Sequence, residues 1–126
     1  MRVFVRVTEF NPVLLVCDSG ALGLPALTGK GPIQVSETCI AVRNASANGL
    51  TTRLLVTDEL VARPGDLICR HFIRTPNRAV VVCSVLLEVY ASVVTRRTRS
   101  LVRVFTNDPV APDRVVVVVG EQEQPA

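Results

Sequence analysis

The sequence predicts a mainly β fold, an antiparallel sandwich or a small barrel, built as one domain. Three observations carry that prediction. Of the 126 residues 24 are Val, while Trp is absent and Tyr and Met occur once each. Val loses rotamer freedom in a helix and packs well on a pleated surface. Short alternating or continuous apolar runs recur along the chain with Gly, Pro and Asn clusters between them, the pattern of a sandwich or barrel. Hydrophobic residues make up 48% and charged residues 20%. A chain this long and this apolar can bury one sizeable core, and intrinsic disorder is excluded as its main state.

The first strand lies at the start, where Val3, Val5 and Val7 face one way and Arg2, Phe4 and Arg6 the other. Val13-Leu14-Leu15-Val16-Cys17 is a continuous apolar run of the kind a buried strand carries. Asn11-Pro12 separates the two, so they form a hairpin or one bent strand. Residues 20–32 hold four glycines and two prolines and read as loop. Residues 33–43 are the next strand. Asn48-Gly49 is a strong short hairpin signal, which makes residues 51–57 the return strand. Pro64-Gly65-Asp66 is a turn, with Pro fixing φ and Gly supplying the left-handed position. Strands follow at 67–74, 101–106 and 114–119. Residues 1–119 form the single β domain, and 120–126 form a polar C-terminal tail.

Residues 76–95 admit two readings. Thr75-Pro76 has the form of a helix start, and Ser84, Glu88 and Ser92 recur every four residues. A helix there would make the fold α+β. Seven of these residues are Val, however, and every odd position from Ala79 to Val93 is apolar. That favours a strand, bent or broken, because an unbroken one would be very long for a small domain.

Lys and Arg number 14 against 11 Asp and Glu, a net charge of +3, and only Lys30 among the basic residues is not Arg. Such a charge is too mild to define a nucleic-acid binder. The N-terminal residues have no apolar core of a secretion signal, and no run is long enough for an ordinary membrane span. The expected site of synthesis is therefore the cytoplasm. Cys17, Cys39, Cys69 and Cys83 sit singly in apolar stretches without a C-x-x-C pair, so free buried thiols are expected and a zinc site is not. No cofactor motif is present either. Thr28-Gly29-Lys30-Gly31 lacks the upstream Gly and the following Ser or Thr of a phosphate loop. His71, the only histidine, reads as a packed or rim residue, and the sequon Asn44-Ala45-Ser46 as a plain turn.

Two motifs resemble known families. Cys17-Asp18-Ser19-Gly20-Ala21, after Val13–Val16, resembles the signature of retroviral-type aspartic proteases. That resemblance implies a dimer in which Asp18 of each subunit shares a proton and activates water. The family's closing motif has only Arg63-Pro64-Gly65-Asp66-Leu67 as a counterpart, which is out of pattern, so an Asp-Ser-Gly turn is the preferred reading. Residues 40–65 resemble the Ig-like repeats of bacterial surface proteins. The likeness lies in Ile40-Ala41-Val42-Arg43-Asn44, Leu55-Val56-Thr57-Asp58-Glu59-Leu60 and Pro64-Gly65. It implies an Ig-like sandwich and no chemistry.

With no catalytic constellation, the expected function is structural and non-enzymatic. The chain reads as a subunit of a larger assembly, a viral or phage particle component such as a capsid cement, decoration or connector protein, and so resident in the virion. Its partners are then proteins, with a homo-oligomer or capsid-type assembly favoured. The interface candidates are Arg96, Arg97, Arg99 and Arg103, the one basic cluster, with Glu121 and Glu123 of the tail as carboxylates that could meet arginines of a neighbour. The rival readings are the aspartic protease using Asp18 and a nucleic-acid-binding β module using the 96–103 cluster.

Overall fold

The computed structural model describes residues 1–7, 13–20, 32–44, 51–108 and 112–120. Within them the chain forms ten strands: β1 (Arg2–Val7), β2 (Val13–Asp18), β3 (Ile33–Val35), β4 (Cys39–Arg43), β5 (Thr52–Thr57), β6 (Asp66–Arg74), β7 (Ala79–Ser84), β8 (Val89–Val94), β9 (Arg99–Thr106) and β10 (Arg114–Val119). They make two five-stranded sheets. One runs β1-β5-β10-β9-β6, the other β3-β4-β2-β7-β8. The first sheet is antiparallel apart from the parallel pair β5–β10. The sandwich expectation is met, and the barrel alternative is not, because neither sheet closes on itself.

The strands alternate as their sequences require. Val7, Leu14, Val16, Ile40, Val42, Leu54, Val56, Val102, Val104, Val115 and Val117 belong to one buried cluster between the sheets. The opposite faces are not bare. Leu15, Cys17, Cys39, Ala41, Val81 and Cys83 form a second buried cluster on the outer face of the β2-containing sheet. Leu55, Val116 and Val118 form a third on the outer face of the other. This explains why β2, β4 and β10 read as continuous apolar runs: both of their faces are covered.

The strand reading of residues 76–95 holds and the helix alternative does not: the segment is a broken strand, the hairpin β7–β8. The period-four recurrence of Ser84 and Glu88 belongs to its turn, where the Ser84 hydroxyl accepts hydrogen bonds from the N–H of Leu86 (3.2 Å) and Glu88 (3.1 Å). Leu87 takes the left-handed conformation there, with φ 65°. Three expectations about other connections are corrected. Residues 33–43 form two strands, β3 and β4, folded on each other around Ser36. β4 and β5 are not a hairpin, since they lie in different sheets, and Asn48-Gly49 falls outside the described residues. β1 and β2 likewise lie in different sheets, so they are neither a hairpin nor one bent strand. The Pro64-Gly65 turn does stand as expected, with Gly65 at φ 107°.

One side of the sandwich is laced shut. The Arg74 N–H donates to the Glu37 carbonyl at 2.7 Å, and His71 Nε2 donates to the Ser36 carbonyl at 2.9 Å. These bonds tie the edge of β6 to the turn between β3 and β4.

All four cysteines are free thiols, three of them buried and Cys69 half-buried. Cys17 and Cys39 face each other across β2 and β4. Their hydrogen bond pushes the Cys17 ionisation from 9.0 up to about 12, opposed by the Cys83 hydrogen bond and assisted by burial. The hydrogen bond from Cys17, then burial, also drives Cys83 upward. Two outcomes follow. Thiol reagent should titrate four groups in denatured, unreduced protein and at most Cys69 in the native state; finding two or fewer after denaturation would reveal a disulfide. Above pH 9 the unfolded chain releases the Cys17 proton while the folded chain keeps it to about pH 12. Stability measured by denaturant titration should therefore fall across that window as pH rises.

Candidate functional site

The turn between β8 and β9, residues 95–98, carries the basic cluster, and its shape is set by a buried threonine. Thr75 is fully buried. Its hydroxyl donates to the Arg97 carbonyl at 2.8 Å and, its one proton spent there, accepts from the Ser100 hydroxyl at 2.9 Å. The Thr75 N–H donates to the Thr98 carbonyl at 2.7 Å, and the Thr95 N–H to the Arg78 carbonyl at 2.8 Å. The β6–β7 and β8–β9 turns are thus pinned together at one end of the sandwich.

Asp18 anchors this end from below. It is fully buried at the end of β2, and its carboxylate accepts three hydrogen bonds. They come from the N–H of Gly20 (2.9 Å), the N–H of Asn77 (3.1 Å) and the Asn77 carboxamide (2.7 Å). A Cβ at Gly20 would overlap that carboxamide, so the glycine leaves room for the clamp. Both carboxylate oxygens are engaged in holding a turn, and the arrangement has the geometry of a structural clamp.

Above the pinned turns lies a cleft of about 400 Å³. Arg96, Arg97 and Arg99 line it, with Val94, Asp58 and Gly120. A second concavity of about 450 Å³ shares Arg97 and Arg99 and adds Arg78 and Phe72. Phe72 on β6 is a platform for two guanidinium groups: Arg99 sits 4.1 Å from its ring centroid and Arg70 5.9 Å. Stacking on a ring fixes the plane of a guanidinium while its edge stays available to oxygen acceptors. The carboxylate among the lining residues, Asp58, is engaged by the N-terminal amine at 3.0 Å. Among the described residues, four exposed arginines line the two concavities around one engaged carboxylate, an excess of positive charge.

Three of the four arginines expected from the sequence meet here. Arg103 does not. It lies near the middle of β9, opposite Val118 on β10 and Arg70 on β6, and is only 5% exposed, so it is not a surface contact. Glu121 and Glu123 lie outside the described residues, although Gly120, from which the tail continues, lines the cleft. Sequence reading missed Phe72, Arg70 and Arg78. They are brought in by the β6–β9 register, which sets Phe72 opposite Leu101 and Arg74 opposite Arg99, and by the pinned turn. Among the described residues no group of three or more His, Cys, Asp or Glu is placed to hold a metal ion, and no helix is long and apolar enough to cross a membrane.

No family model and no curated protein sequence matches the chain. Two solved structures share its fold. ComJ of Bacillus subtilis, an inhibitor of the DNA-degrading activity of NucA, aligns over 96% of this chain and 95% of its own with a TM-score of 0.65 at 6% identity. The product of crocagin biosynthetic gene J aligns over 98% and 96% with a TM-score of 0.51 at 10% identity.

Proposed function

We propose that the chain is a non-enzymatic protein-binding subunit of a larger assembly, and that its arginine-lined end engages an acidic surface on the partner. The observation that carries this reading is the pair of adjoining concavities that Arg78, Arg96, Arg97 and Arg99 line between them, with Arg99 over the Phe72 ring. Arginines arranged in this way suit bidentate capture of carboxylates. Likeness to ComJ supports the class, since that protein's described role is to inhibit NucA and not to catalyse a reaction. A viral or phage particle is one assembly in which such a subunit would serve.

The test uses the full chain and two probes, poly-glutamate and a short DNA duplex, across a salt series. Poly-glutamate should bind at low salt, and the triple variant R96A/R97A/R99A should bind it about tenfold more weakly or worse, at unchanged melting temperature. Tighter binding of the duplex, with a steep salt slope, would replace this reading with a nucleic-acid one. A second expected result concerns the tail. Deleting residues 121–126 should leave the melting temperature nearly unchanged and weaken incorporation into the assembly. A truncated chain that assembles normally would remove Glu121 and Glu123 from the interface.

A further inference from the structure

Four strands end the two sheets, and three of them are guarded. β6 is hydrogen-bonded through Arg74 and His71 to the β3–β4 turn. β3 is only three residues long. β1 alternates Arg2, Phe4 and Arg6 outward, and charged side chains on an edge discourage strand addition. β8 is different. Val89-Tyr90-Ala91-Ser92-Val93-Val94 contains no charged residue, and among the described residues only β7 pairs with it. Val94 is 83% exposed and Val89 57%, while Leu86 and Leu87 in the preceding turn are 84% and 49% exposed.

We infer that β8 is the edge through which two copies of this chain join, pairing antiparallel about a twofold axis to continue the β3-β4-β2-β7-β8 sheet across both. Three features select a second copy as the occupant. Self-pairing of the regular stretch Ala91–Val94 sets only Ala, Ser and Val against one another, so no like charges meet. The same operation on β1, centred on Phe4, would set Arg2 against Arg6 twice. Antiparallel pairing also brings the start of one β8 beside the end of the other. The exposed Val89 of one copy then comes close to the exposed Val94 of its mate, so that apolar surface at each end meets apolar surface. The register shift in β8 between its pairings with Val82 and Cys83 sets Tyr90 apart, and confines the new ladder to the residues after it.

This surface is separate from the arginine-lined cleft, apart from Val94 at its border. The deciding measurement is the molar mass of the full chain by sedimentation velocity over a concentration series. Wild type should sediment as a dimer at micromolar concentration. V89K/S92K places two lysines on exposed positions of the strand outside the cleft lining and should sediment as a monomer with the wild-type circular dichroism spectrum. F4K on β1 should remain a dimer. A monomeric wild type overturns the inference, and so does a dimer that survives V89K/S92K or is lost in F4K. Poly-glutamate binding by the monomeric V89K/S92K protein keeps the two proposals distinguishable, because every residue lining the cleft is intact in it.

Discussion

Replacing Asp18 with alanine is expected to lower the stability of the fold by about 3 kcal/mol, which for a domain of this size means a loss of roughly 10 °C in melting temperature. The carboxylate is fully buried and accepts from two backbone N–H groups and one carboxamide. Alanine leaves all three donors facing an apolar gap. Asp18→Asn should fall between wild type and alanine, since it retains one acceptor oxygen and turns a second donor toward the donors already there. The effect should also reach the surface. Asn77 belongs to the turn that ends at Arg78, and the Arg78 carbonyl receives the Thr95 N–H. The alanine variant should therefore bind poly-glutamate more weakly even at temperatures where it remains folded. Thermal melts within a degree or so of wild type would show that the clamp holds nothing.

Gly65→Val is expected to be about as damaging. Gly65 sits at φ 107°, and a Cβ built there would lie 2.6 Å from the Thr106 carbonyl oxygen. The left-handed conformation alone costs an L-residue roughly 1–2 kcal/mol, more for a β-branched one. The collision adds to it, because the obstacle is backbone inside the β6–β9 ladder, where Thr106 pairs with Asp66. A loss of about 3 kcal/mol is expected by denaturant titration. Gly65→Ala should lose less but still be measurable. A neutral valine would mean that the Pro64-Gly65 turn rearranges freely.

Most of the strands were legible because they are short apolar runs, several of them valine-rich, bounded by turn residues. Their pairing was not. Asn48-Gly49 lies between two strands and carries the local chemistry of a hairpin, yet β4 and β5 join different sheets, a choice made by which apolar faces meet across the core. The 76–95 segment was ambiguous for a physical reason: Ser84 and Glu88 have helical spacing, and the same spacing serves a four-residue turn closed by the Ser84 hydroxyl. At the candidate site, Arg96, Arg97 and Arg99 were visible as a local run. Phe72 and Arg78 were not, because strand register and a buried threonine bring them in from more than fifteen residues away. Arg103 shares a strand and a face with Arg99, but one lies mid-strand and the other at its end. Only a structure reveals which of the two meets solvent.

The parallel pair β5–β10 has a consequence for how the chain acquires its shape. β10 follows the other nine strands in sequence and lies third of five in its sheet, between β5 and β9. During synthesis the strands of the other sheet, β2, β3, β4, β7 and β8, are complete while β10 is still unmade. The sheet that contains it can by then hold only two separate pairs, β1 with β5 and β6 with β9. Two inner edges, on β5 and β9, wait for a single valine-rich strand to bridge them. Closure couples residues some sixty positions apart, such as Arg53 and Arg114, and contacts of that separation set a slow rate. Until it occurs, those open edges are where a nascent chain is exposed to misassociation with its neighbours.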